Sequence, residues 1–176
     1  YQEKWQETIS LFREMTEAFK AAGIKLLYHN HDHELTVLPG DQIPLLDKLL
    51  AAVPGLSPEF DTCWLSYGGA DPVSSIEKYA ESISLVHLKD YACAALPQRP
   101  VWQLLQEGWE KPQKRSEAAF RYTPLGLGVE SWQRIVQAIG ASGASFVVVE
   151  QDESRDRSPL EAARLSRKYL RETLGI

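Results

Sequence analysis

The chain has 176 residues, 44% of them hydrophobic and 24% charged, which is enough to bury one ordinary core and argues against disorder or low complexity. Nineteen Lys and Arg against 24 Asp and Glu give a formal charge of -5, and no segment gathers basic side chains, so a nucleic-acid partner is not expected. No apolar run reaches the roughly 20 residues that span a bilayer, and no charged-then-apolar leader opens the chain, so the expectation is a cytoplasmic protein with no membrane partner. Cys63 and Cys93 stand alone, without C-x-x-C spacing, which fits a reducing compartment and gives neither a disulfide framework nor a thiolate zinc site. The chain opens on Tyr1 and its only methionine is Met15, so it reads as a sequence whose translation start has been removed, or as a fragment.

Trp5, Ile9, Phe12, Phe19 and Ala22 recur at helical spacing among charged residues, predicting an amphipathic helix that Gly23 stops. Ile24 to Tyr28 then reads as a short buried strand that runs into His29-Asn30-His31-Asp32-His33-Glu34. Ile43 to Val53 is a second helix, closed by Pro54-Gly55 and followed by a strand, Pro58 to Asp61. Asp71-Pro72 is a helix-entry signal, a capping oxygen before a proline at the first helical position, and Ile76, Tyr79 and Ala80 supply the apolar face. A third strand, Ile83 to Leu88, leads into Lys89-Asp90. From Tyr91 to Tyr122 the pattern lapses into a stretch with Trp102, Trp109, prolines and Lys111-Pro112-Gln113-Lys114-Arg115, too long for a simple connection, which reads as a loop with short helical pieces able to serve as a lid. Ser131 to Ile139 is helical, Ser145 to Val149 is the most strand-like run and ends in Glu150-Gln151-Asp152, and a last helix starts near Ser158-Pro159.

A helix followed by four strand-helix repeats predicts four parallel strands with helices packed outside. Four such units are half of a (β/α)₈ barrel, which takes about 250 residues, so either a first half is absent or two copies supply it. The carboxyl ends of neighbouring parallel strands converge on one face, where active sites form. Here all four strands end in ligand or acid/base groups: the His29 to Glu34 cluster, Asp61, His87 with Lys89, and Glu150. An acid at one strand end is most often a loop cap or a solvated carboxylate; coincidence at four ends argues for a site. An oxygen-rich set with imidazole suits a divalent ion such as manganese, magnesium, cobalt or zinc. Three of the four histidines fall within five residues, and His29 and His31 share a side by strand alternation, while His33 faces solvent and is given no role.

Tyr28-His29-Asn30-His31-Asp32-His33-Glu34, Phe60-Asp61-Thr62-Cys63-Trp64, Gly68-Gly69-Ala70-Asp71-Pro72, His87-Leu88-Lys89-Asp90 and Val149-Glu150-Gln151-Asp152 together resemble the sugar phosphate isomerase/epimerase family. This is the xylose-isomerase-like TIM-barrel superfamily, which also holds inosose dehydratases, ketose 3-epimerases and endonuclease IV. The resemblance implies the C-terminal half of a TIM barrel, residues 1–176 forming a single partial domain that carries strands five to eight. It also implies one divalent ion, manganese favoured, held by Glu34, Asp61, His87 and Glu150, with His29 and Glu150 as acid/base groups. The reverse assignment of Glu34 and His29 stays open. His31, Lys89 and Trp64 are then substrate-binding, Trp64 standing where ketose epimerases carry a histidine. Leu127 stands where relatives often have glutamate.

The expected function is metal-dependent isomerisation, epimerisation or dehydration of a small sugar, keto-sugar or inosose, by proton transfer next to a carbonyl. A homo-oligomer, or a missing N-terminal half, is expected to cover the open edges of a four-stranded sheet. Two other readings compete. A non-catalytic half-barrel or binding subunit need hold no metal, and an endonuclease IV-like phosphodiesterase would need more histidine ligands and a basic groove.

Overall fold

The computed structural model describes residues 2–93 and 120–176. Helix α1, Gln2–Ala21, ends at Gly23, whose φ of 73° lets the Ile24 N–H turn back to the Phe19 carbonyl. Ile24 is therefore spent on the helix cap and left exposed, and strand β1 begins later than the sequence suggests, at Leu27–His29. The other elements follow in order: α2 (Leu45–Ala52), β2 (Ser57–Asp61), α3 (Thr62–Tyr67), α4 (Pro72–Lys78), β3 (Leu85–Leu88), β4 (Asp90–Cys93), β5 (Phe120–Thr123), α5 (Trp132–Gly140), β6 (Phe146–Val149) and α6 (Pro159–Tyr169). As the helix-entry signals predict, Asp71 and Ser158 cap α4 and α6 by accepting from the backbone N–H of Val73 and Glu161, each with proline next in the chain.

Four strands form one parallel sheet in the order β1-β2-β3-β6, with helices in the connections, the architecture of half a (β/α)₈ barrel. The register sets Asp61 beside His87 and His29 beside Glu59. Alternation then divides the side chains. Phe60, Val86 and Leu88 are buried with Leu46, Leu49, Ile76, Trp132 and Ile135 in the helix-side core, while Glu59, Asp61, His87 and Glu150 come off the opposite face.

The expected lid corresponds partly to β4 and β5, an antiparallel pair that continues beyond the end of β3. Residues 94–119, which hold the rest of that expectation, lie outside the described residues. Helix α3 was not foreseen: Asp61 ends β2 and at once caps α3 through the Trp64 N–H, at 3.0 Å. Among the described residues no helix is long and apolar enough to cross a membrane.

Candidate active site

Four side chains from four adjacent strand ends meet at the open end of the sheet. One donor atom each from His29, Asp61, His87 and Glu150 lies within 4.8 Å of all the others. His29 Nε2 is 3.3 Å from Asp61 Oδ2, and His87 Nδ1 is 2.7 Å from Glu150 Oε2. Two imidazoles and two carboxylates make a donor set suited to a divalent transition metal, each able to offer a lone pair toward one centre. Asp61 is fully buried, and its backbone N–H is held by the Asn30 side-chain oxygen at 3.1 Å. The hydrogen bond to Asp61 holds the His29 imidazole above its ordinary pKa although burial opposes it. Burial pushes the Glu150 carboxyl up, but the contacts with Lys89 and His87 outweigh it and hold the group below its ordinary range.

Lys89 lies beneath this group, 1% exposed. Its Nζ is 2.9 Å from Asp61 Oδ2, 2.9 Å from Glu150 Oε2 and 3.0 Å from Asp152 Oδ1. Burial would lower its pKa; the Asp61 charge and the three carboxylate hydrogen bonds win and keep it above the usual lysine range. An ammonium has three donors, and here all three face carboxylates, so Lys89 braces Asp61 and Glu150. The ammonium also lies over the rings of Trp64 and Tyr122, 5.5 and 5.7 Å from their centroids. Thr62 Oγ1 accepts from the Lys89 N–H at 3.0 Å and reaches the Lys89 carbonyl at 2.9 Å, fixing the backbone that carries the lysine.

Glu34 does not join the converging group. Tyr28 leaves β1 on the helix side, where it packs on Phe12, and its hydroxyl donates to Glu34 Oε1 at 2.9 Å. Glu34 Oε2 accepts from the His31 N–H at 2.9 Å, so the buried carboxylate closes the His31 to Glu34 turn, and His29 takes the place beside Asp61. Of the two residues between which the sequence left the first ligand open, His29 stands in the converging group and Glu34 outside it. His31 extends over the site's rim, its ring 5.1 Å from that of His29 and 5.5 Å from that of Trp64, and partial burial lowers its pKa. His33 is exposed and lies against Glu34. Trp64 is buried and stacks on Phe120 at 5.9 Å, in an aromatic cluster with Tyr91 that backs the site.

Three further residues were not singled out from the sequence. Glu59 Oε1 is 2.6 Å from His87 Nε2, and Asp152 is the third partner of Lys89. Both lie two positions from an identified residue on a strand or its extension, so alternation could have found them. The third, Asp90, accepts from the N–H groups of Gly126, Gly128 and Glu130 and from Trp132 Nε1, holding the segment after β5.

A half-barrel of parallel strands with acidic and imidazole groups gathered at its carboxyl ends is the form of the site-bearing face of a TIM barrel. The sequence pattern described as Xylose isomerase-like TIM barrel matches residues 1–173, and the chain belongs to that family. It is similar to an inosose dehydratase of Clostridium beijerinckii, 28% identical over 182 residues that cover 99% of this chain and 56% of that protein. It is also similar to one of Geobacillus thermodenitrificans, 25% identical over 184 residues with the same coverage. The chain thus spans about half the length of the curated relatives it matches. Among solved structures, a sugar phosphate isomerase/epimerase of Parabacteroides distasonis superposes with a TM-score of 0.70 at 21% identity, covering 94% of this chain and 51% of that one. The probable 3-DHS dehydratase AsbF of Bacillus anthracis gives 0.67 at 22% identity, covering 98% and 58%. These likenesses show the fold.

Proposed function

We propose that the chain is the site-bearing part, strands five to eight, of a divalent-metal-dependent enzyme that isomerises, epimerises or dehydrates a small sugar, keto-sugar or inosose. The observation that carries this reading is the convergence of His29, Asp61, His87 and Glu150 from four neighbouring strands, in a chain whose relatives include inosose dehydratases. These four residues would hold the ion, with manganese favoured among several that such a set accepts. When bound, the ion supplies Lewis-acid polarisation of a substrate carbonyl and stabilises the charge that develops on its oxygen.

The remaining chemistry falls to the side chains. Glu150 Oε2 is engaged by His87 and Lys89, which leaves Oε1 to accept the proton from the carbon beside the carbonyl and to return it. His31, kept neutral by its lowered pKa, can hydrogen-bond a substrate hydroxyl at the rim, with Trp64 and Tyr122 as apolar walls. Lys89 reaches a substrate oxygen only by giving up one carboxylate, and Asp152, at 39% side-chain exposure, is its most exposed partner.

The test is deuterium uptake from solvent at the carbon beside the carbonyl of inososes and keto-sugars, followed by mass spectrometry on manganese-reloaded protein. Glu150→Gln is expected to slow uptake by about 10² to 10⁴. An undiminished rate in that variant would remove Glu150 from the proton-transfer role.

A further inference from the structure

Glu59 lies outside the converging donor group, yet its carboxylate makes one of the shortest polar contacts at the site, 2.6 Å from Oε1 to His87 Nε2. It stands on β2 two residues before Asp61, so it shares Asp61's face one layer deeper, and its Cα registers with His29 on one side and Leu85 on the other. Its side chain is 19% exposed and that of His87 13%. The imidazole is thus caught between two carboxylates: Glu59 at Nε2, and Glu150 at Nδ1, 2.7 Å away.

A neutral imidazole has one N–H and one lone pair, and only the lone pair can ligate. Nδ1 is the nitrogen that faces Glu150, a member of the converging group, and Nε2 faces Glu59, which lies outside it. If the proton sat on Nδ1 it would donate to Glu150 and His87 could offer nothing to an ion at the centre. A carboxylate at Nε2 favours the opposite tautomer and fixes the ring's rotation.

We propose that Glu59 is the positioning residue of this site, accepting the Nε2 proton of His87 so that the Nδ1 lone pair is presented to the ion. The proposal rests on the reading that His29, Asp61, His87 and Glu150 are metal ligands. Glu59 itself touches neither the ion nor the substrate. A carboxylate that served only to neutralise a buried histidine would contribute to folding without selecting which ring nitrogen holds the proton, and this difference is measurable.

The experiment uses the full chain, uniformly ¹⁵N-labelled, stripped with chelator and reloaded with zinc. Long-range ¹H–¹⁵N ring correlations report the state of each His87 nitrogen, and titration reports zinc affinity. Zinc-loaded wild type is expected to show the proton on Nε2 and the ion at Nδ1. Glu59→Ala is expected to lower zinc affinity by about 10- to 100-fold and, before loading, to shift the His87 proton toward Nδ1. Glu59→Gln keeps the volume and an acceptor oxygen, so it should restore the Nε2 tautomer and leave affinity between wild type and Glu59→Ala. A His87 protonated on Nδ1 in the loaded wild type, or wild-type affinity in Glu59→Ala, overturns the proposal. Should Glu59→Ala not fold, wild-type affinity in Glu59→Gln overturns it. Failure of wild type to retain zinc overturns both this proposal and the ligand reading, whereas retention that is lost in Asp61→Asn but unchanged in Glu59→Ala overturns this proposal alone.

Discussion

Asp61 joins the end of β2, the start of α3 and the site through one carboxylate: Oδ1 accepts the Trp64 N–H, and Oδ2 meets His29 and Lys89. A charge with no solvent exposure is tolerable because each oxygen has a partner. Glu130 is the contrast. Its Oε1 is buried without a hydrogen-bond partner among the described residues, and burial with the charges of Asp90, Asp61 and Asp71 outweighs a hydrogen bond from Ser66 and pushes its carboxyl up to about 8. In the folded protein it binds its proton more tightly than in the unfolded chain, so its contribution is fully present below about pH 4.5 and is lost as pH rises through about 8. Glu130→Gln cannot ionise and should flatten that fall, leaving the variant about 1–3 kcal/mol more stable than wild type at pH 8.5 but not at pH 4.5. Urea denaturation of both proteins at the two pH values checks this; parallel curves would show that Glu130 ionises freely. At this scale Asp61, His87 and Glu150 were legible because each ends a recognisable strand. Glu130 was not, because its burial depends on Asp90 and Ser66, which are distant in sequence.

Among the elements, the segment from Pro124 to Ser131 has no regular structure before α5 and is held by Asp90. The carboxylate accepts the Gly126 N–H at 2.9 Å, the Gly128 N–H at 3.1 Å, the Glu130 N–H at 3.3 Å and the Trp132 indole at 2.8 Å. A Cβ at Gly128 would overlap that carboxylate, which explains why the close approach needs glycine. Asp90→Ala leaves four donors, the buried Trp132 indole among them, without their acceptor and should cost about 3 kcal/mol or more, with faster hydrogen exchange at Gly126 and Gly128. Unchanged exchange at both amides would mean that the segment is held by its other packing. The elements were readable where punctuation is strong, as at Gly23, Pro54-Gly55, Asp71-Pro72 and Ser158-Pro159. They were misread where one residue serves two purposes: Ile24 caps a helix instead of opening a strand, and Asp61 starts α3 while ending β2. The β4–β5 pair escaped because its two strands are separated by 26 residues, and local periodicity carries no signal for a partner that far away.

For the whole molecule, four strands make an open sheet, and β1 and β6 each have one strand neighbour among the described residues. The side chains of β6, Phe146 to Val149, are 39% to 70% exposed although all four are apolar. Such an edge is ordinarily paired or covered, so the chain on its own should self-associate, as a second copy or the absent half of a barrel would cover it. Light scattering after size exclusion tests this, and a monodisperse monomer would contradict it. Fold class was legible from the order of elements alone, because strand-helix alternation admits few architectures. Convergence of the site followed from the same topology, while the place of His29 within the group and of Glu34 outside it depended on which face of β1 carries Tyr28. On the proposed function, the four converging side chains form one metal site. Metal content per chain, measured by elemental analysis on protein stripped with chelator and reloaded with manganese, tests it most directly. About one ion per wild-type chain and none retained in Asp61→Asn are expected; wild-type protein that retains no ion, or an Asp61→Asn variant that retains as much as wild type, would show that the four side chains form no metal site.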